Sequence, residues 1–166
     1  MKPARSLKAA VIGVGAMGRH HARVYTALPT TALVGVADAD ADRAAQVAST
    51  YAVPAYSDYR DMLESERPDL VTVAVPTSLH QAVAVHAMES GAHVLVEKPI
   101  AATIAEAQAI IDRAEQLGRK LMVGHIVRFD PAIQALKQHL DAGELGRMFQ
   151  IVCRRVGPFP ARVRDV

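Results

Sequence analysis

Residues 8–28 read KAAVIGVGAMGRHHARVYTAL. An apolar run from Ala9 to Ile12 meets glycines at 13, 15 and 18, and a helical pattern then continues to Leu28, ahead of Pro29. Where this spacing joins a strand to a helix, each glycine has its own task. Gly13 permits the tight turn out of the strand, Gly15 lets the backbone approach a pyrophosphate, and Gly18 lets helix and strand pack closely. The N–H groups of Ala16 and Met17 then face phosphate at a helix N-terminus, where unpaired donors and the helix dipole favour anions. The competing reading is a merely flexible turn, and the strand before it and the helix after it argue against that.

Outward from this stretch, apolar runs alternate with helical patterns. Strands are expected in TALVGVAD, around AYS, in DLVTVAVP, AHVLVE and KLMVGH, separated by helices in ADRAAQVASTY, DYRDMLESE, LHQAVAVHAMES and IAEAQAIIDRAEQL. A last helix, PAIQALKQHLDA, precedes a strand-like run, RMFQIVCRRV. Strands one, two, four and five are apolar almost throughout, without alternation, which marks strands covered on both faces. The pattern is a doubly wound α/β fold: a Rossmann-type parallel sheet with helices on either side. Ser78 with Gln81, and Thr103 with Glu106, have capping-box spacing. Asp130–Pro131 is a cap followed by a first-turn proline. Gly91, Gly118 and Gly143 stand where helices should stop.

Composition narrows the function classes. The 166 residues suit one domain, or one domain and part of another. Tryptophan is absent and aromatics are 4% of the chain, which leaves little for base stacking, so no nucleic-acid partner is expected. A single cysteine, Cys153, excludes an intrachain disulfide and a cysteine–zinc cluster, and fits a cytoplasmic setting. No apolar run approaches the ~20 residues a membrane span needs. No histidines share metal-ligand spacing, and no metal is expected. Residues 147–166 hold five arginines and one acid, a net charge of +4 within a chain of net +2. A solvated basic edge is the ordinary reading of that tail, and binding of phosphate on a small substrate is the sharper one.

Asp38 lies twenty residues after Gly18, at the end of the second strand. A carboxylate there accepts hydrogen bonds from the adenosine ribose hydroxyls and repels a 2′-phosphate, which favours NAD over NADP. The residue after it is alanine, and Arg43, a few residues on, is positioned to soften that preference. The bland alternative for Asp38 is a cap on the following helix. Ligands in such folds lie across the carboxyl ends of the strands. The tips of strand four, Val75–Pro76–Thr77, and strand five, Glu97–Lys98–Pro99, should therefore line the cleft. Lys98 reaches a substrate hydroxyl and helps lower its pKa, and Glu97 orients it. A surface ion pair at a strand end is the competing reading.

The order of motifs removes most of that ambiguity. GVGAMGRHHARVY, VAD, VPTSLH, GAHVLVEKPIAAT and LMVGHIVRFDP together resemble the Gfo/Idh/MocA oxidoreductase family over residues 7–150. The resemblance implies an NAD(P)-dependent dehydrogenase acting on sugars, cyclitols or nucleotide sugars, working as a homo-oligomer. It implies that Lys98 hydrogen-bonds the reacting hydroxyl and that Lys98–Pro99 is a cis peptide. It places Pro76, Thr77 and His80 along the cofactor, and His125 and Arg128 at the mouth of the active site. Family members run well beyond this length into a second α/β domain that carries an acid/base histidine. Residues 1–124 are thus expected to be the dinucleotide domain, 125–146 a connecting segment, and 147–166 the start of a truncated substrate domain, so that the chain alone does not turn over. The tail is similar to family members resembling UDP-N-acetylglucosamine 3-dehydrogenases, which would direct Arg154, Arg155, Arg162 and Arg164 to a diphosphate. The alternative function is a non-catalytic NAD sensor or partner-binding module, which has no need of a lysine beside the nicotinamide.

Overall fold

The computed structural model describes residues 6–154 and 156–157. Strands β1 (Leu7–Ile12), β2 (Thr31–Ala37), β3 (Ala55–Tyr56), β4 (Leu70–Val73), β5 (His93–Val96) and β6 (Leu121–Val123) form one sheet in the order β3-β2-β1-β4-β5-β6. Every pairing is parallel. The six helices are α1 (Gly18–Ala27), α2 (Ala41–Tyr51), α3 (Tyr59–Glu66), α4 (His80–Glu89), α5 (Ile104–Gln116) and α6 (Pro131–Asp141). The chain divides into two compact units, 1–124 and 125–166. The first holds the sheet and α1–α5, and α6 belongs to the second.

Continuous apolar strands require cover on both faces, and the core is split accordingly. Val11 and Val36 point to one face, where they pack with Ala22 of α1 and Ala48 of α2. Ala10 and Ile12 point to the other, with Val71, Val73, Val94 and Val96. Met62 of α3, Val83 and Ala87 of α4, and Ile110 of α5 close that side. Full burial of each such aliphatic side chain contributes about 1.5–3 kcal/mol. Tyr25 of α1 crosses to the middle of the sheet, where its phenol meets the Thr72 hydroxyl at 2.8 Å. Burial raises its pKa above the ordinary 10.0, and the bond to Thr72 partly offsets this.

Strand order reverses between β1 and β4, the switch point that opens a crevice at the carboxyl ends of the strands. Main-chain bonds continue past the strand ends there: Gly13 N–H to Ala37 O at 2.7 Å, Ala74 N–H to Ile12 O at 2.8 Å, and Glu97 N–H to Val73 O at 2.9 Å. The strand tips are therefore held in mutual register just where the chain turns outward.

Local capping follows the sequence in most places. Thr103 and Glu106 make a reciprocal capping box on α5. Asp130 accepts from Ala132 N–H and Ile133 N–H ahead of Pro131. Two expectations fail. Ser78 caps nothing, because Thr77–Leu79 forms a short 3-10 turn and α4 begins only at His80, without a side-chain cap. Residues 147–154 form no strand. A strand's N–H and C=O groups need a neighbouring ladder, and no strand lies beside this run among the described residues. Of the tail arginines, Arg154 is described and exposed, whereas Arg155, Arg162 and Arg164 lie outside the described residues.

The two capping motifs should separate in a stability measurement. Thr103→Ala should cost about 1 kcal/mol in urea unfolding, the usual loss for an N-cap hydroxyl. Ser78→Ala should stay within about 0.5 kcal/mol of wild type, as an exposed side chain without a structural task. Equal losses would contradict the placement of the start of α4.

Candidate dinucleotide site

The glycine loop is shaped by close backbone approach. A side chain at Gly13, whose φ is +84°, would stand 2.7 Å from Ala74 C and O on the adjacent strand tip. At Gly18 a Cβ would fall 1.8 Å from Gly13 O. These two glycines are required by the protein itself. Gly15 differs, because a Cβ there meets open space. Only something outside the folded chain would need that space, which fits a loop backed against a phosphate-bearing ligand. Ala16 and Met17 lead into α1, and their N–H groups have no acceptor among the described residues. These are the orphan donors of a helix start.

Asp38 directly follows β2, with its side chain only 8% exposed. One oxygen accepts from Val14 N–H of the glycine loop at 2.9 Å, and the other accepts from Asp40 N–H at 3.0 Å. The carboxylate is thus fixed against the loop. Asp38 does not cap α2. Asp40 does, accepting from Arg43 N–H at 3.0 Å, because Asp40 directly precedes the first helical residue. Arg43 lies across both acids, with its guanidinium 3.1 Å from Asp38 Oδ1 and 2.9 Å from Asp40 Oδ2.

On the other side of the crevice, Val75 and Pro76 follow β4 and Thr77 opens the 3-10 turn. His80, expected along the cofactor, is 1% exposed and turned inward. Its Nδ1 lies 2.9 Å from Pro99 O and its Nε2 lies 2.9 Å from Val75 O. Either neutral tautomer has one N–H, which donates to one of these two carbonyls, and both nitrogens face main chain. His80 is a tie between the β4 tip and the loop after β5. The periodicity of α4 allowed either direction for this side chain, and only the packed fold chose one.

Glu97 also departs from its expected role. It is buried, and its Oε1 meets His21 Nε2 of α1 at 2.9 Å. Its Oε2 accepts from the Lys98 backbone N–H at 3.1 Å. Gly124 lies against the same carboxylate, where a Cβ would stand 3.1 Å from Oε1. Glu97 therefore orients Lys98 through the main chain and not through the ammonium. Lys98 is exposed, and its ammonium has no hydrogen-bond or ion-pair partner among the described residues. The Lys98–Pro99 peptide is cis.

His21 and Gly124 are site residues that motif reading missed. His21 lies on the inward stripe of α1 with Gly18, Ala22 and Tyr25, a spacing that was available in the sequence. Its partner across 76 positions was not. His125 and Arg128 belong to the second unit, at and within the 3-10 turn Ile126–Phe129, and both are exposed. Among the described residues no group of three or more histidine, cysteine, aspartate or glutamate side chains could hold a metal ion. No described helix is long and apolar enough to cross a membrane.

A six-stranded parallel sheet in this order, with a glycine loop at the switch point and an acid at the end of β2, defines a dinucleotide-binding Rossmann domain. The model of the Gfo/Idh/MocA oxidoreductase family, NAD-binding Rossmann fold, matches residues 7–125, and the chain belongs to that family as its NAD-binding domain. It is 40% identical over 160 residues to UDP-N-acetylglucosamine 3-dehydrogenase from Acidithiobacillus ferrooxidans, covering 96% of this chain and 49% of that protein. It is 36% identical over 143 residues to scyllo-inositol 2-dehydrogenase (NAD(+)) from Bacillus subtilis, covering 85% and 42%. A crystal structure of the Acidithiobacillus enzyme superposes with a TM-score of 0.73 at 43% identity, covering 80% of this chain and 42% of that one. The WlbA dehydrogenase from Bordetella pertussis, in complex with NADH and UDP-GlcNAcA, shares the fold with a TM-score of 0.82 at 23% identity. The chain spans about half the length of the curated relatives it matches.

The inward placement of His80 carries its own test. His80→Ala removes a buried ring and strips a backbone carbonyl of its donor, at about 1–3 kcal/mol for a buried group left unsatisfied. A fall of at least about 2 kcal/mol in urea unfolding is expected, and a change under about 0.5 kcal/mol would mean that the ring is not tied as described.

Proposed function

We propose that this chain is the cofactor-binding part of a dehydrogenase that moves hydride between NAD and a ring hydroxyl of a sugar, cyclitol or nucleotide sugar. The observation that carries the reading is Lys98: an exposed ammonium with no partner among the described residues, on a main chain fixed by a buried Glu97. An ion pair kept for stability would have a partner. An ammonium held ready beside a nicotinamide donates a hydrogen bond to the substrate hydroxyl and lowers its pKa, which favours loss of the hydroxyl proton as hydride leaves carbon. NAD, when bound, accepts that hydride.

The remaining roles belong to the same proposal. Gly13, Gly15, Ala16 and Met17 hold the pyrophosphate with main-chain N–H groups, and Asp38 takes the adenosine ribose. Val75, Pro76 and Thr77 line the nicotinamide side. His125, Arg128 and Arg154 contribute to substrate binding. The nucleotide-sugar option draws support from the 40% identity to UDP-N-acetylglucosamine 3-dehydrogenase over nearly the whole chain. The cyclitol option draws on scyllo-inositol 2-dehydrogenase. A cytoplasmic homo-oligomer without nucleic-acid partners is the setting that accords with the single cysteine and sparse aromatics.

Calorimetry with NADH tests the reading directly. Binding should be measurable for the wild-type chain and for Lys98→Ala, which should stay within about threefold because the ammonium serves the hydroxyl. Gly18→Ala should abolish it, since the added Cβ collides with the Gly13 carbonyl. Asp38→Ser should raise the NADPH-to-NADH affinity ratio at least about tenfold, or ~1.4 kcal/mol. Absence of NADH binding to wild type would overturn the reading.

A further inference from the structure

The turn from β2 and the first turn of α2 together contain three acids, Asp38, Asp40 and Asp42, and one base, Arg43. A 2′-phosphate on the adenosine ribose would need a free guanidinium here, and Arg43 is the nearest candidate. It is not free. Its NH1 contacts both oxygens of Asp38, at 3.1 and 3.3 Å, and its NH2 contacts Asp40 Oδ2 at 2.9 Å. The hold on Asp38 comes from one nitrogen. The second anchor, which fixes the plane of the guanidinium, is Asp40 alone. Asp40 has two tasks on its two oxygens: Oδ1 caps α2 through Arg43 N–H, and Oδ2 takes the Arg43 side chain. The same residue thus starts the helix that carries Arg43 and restrains that arginine across the ribose-reading acid.

We propose that Asp40 is a specificity-determining residue: it locks Arg43 against Asp38 and so withholds that guanidinium from a 2′-phosphate. The proposal rests on the reading that Asp38 receives the adenosine ribose. Two carboxylates share one guanidinium, so the locked cluster stays net negative and repels phosphate. Without the charge on Asp40, Arg43 keeps only its NH1 contacts. Its side chain is 44% exposed, so it has room to swing outward to a phosphate. An exposed charge pair is worth up to about 1 kcal/mol, so the effect is a shift in preference and not a reversal.

Asp40→Asn is the informative variant, because asparagine caps helices as well as aspartate does. Its melting temperature should match wild type, which isolates the side-chain contact from the cap. NADH and NADPH affinities of the chain, read by nicotinamide fluorescence, should show the NADPH-to-NADH ratio rising about fivefold, the scale of one such pair. NADH affinity itself should stay within about twofold. Adding Arg43→Ala to Asp40→Asn should erase the gain. If Asp40→Asn leaves the ratio unchanged, or the gain survives without Arg43, the lock is overturned; the second result would mean that the charge of Asp40 acts by itself. Should Asp40→Asn melt early, Asp40→Ser, which also caps, takes its place with the same two outcomes. Failure of wild type to bind either dinucleotide would instead overturn the site reading beneath the proposal, a result distinct from both.

Discussion

The crowding of backbone at the end of β1 is the constraint on which the rest of the site depends. Gly13 brings the main chain of β1 within contact of Ala74 on the β4 tip, and Gly18 sets α1 directly over the Gly13 carbonyl. No side chain fits at either place. Because both faces of the sheet are packed with aliphatic residues, the strands cannot shift to make room. The turn is thereby forced to expose its N–H groups outward, at the one edge of the sheet where strand order reverses. An outward-facing loop is the consequence of a packing requirement within the chain, and Gly15, where a Cβ would meet open space, is the exception.

Buried polar ties then decide which charges are fixed and which are free. His80 joins the β4 tip to the loop after β5, and Glu97 joins the end of β5 to α1 through His21. Asp38 joins β2 to the glycine loop. Each links two elements that are distant in sequence, and each is buried enough that losing a partner would leave a desolvated polar group. Lys98 stands among these ties with its own charge unpaired among the described residues. The contrast between Glu97 and Lys98, adjacent in sequence but one held and one free, is what gives the strand tip its chemical character.

The fold was legible to an unusual degree. Every strand and helix of the first unit is where apolar runs and helical periodicity place it, because fully covered parallel strands leave a strong local signature. The end of the chain was not. RMFQIVCRRV has the composition of a strand, but composition does not provide a neighbour, and residues 147–154 form none. Capping was legible where the motif adjoins a regular helix, as at Thr103. It was misread at Ser78, where the proline-led 3-10 turn delays the start of α4 by one residue, to His80.

The sequence by itself determined the residue types and the points of delivery: glycines at 13, 15 and 18 between β1 and the start of α1, an acid at 38 after β2, and a lysine at 98 after β5. Those positions follow from spacing along the chain, and spacing is a local property. Only the tertiary structure decided what each side chain holds. It turned His80 away from the crevice, gave Glu97 to His21, passed the cap of α2 from Asp38 to Asp40, and laid Arg43 across both acids. Partners separated by as many as 76 positions meet only once the sheet has assembled, and a buried polar group takes whichever partner the packed neighbours present.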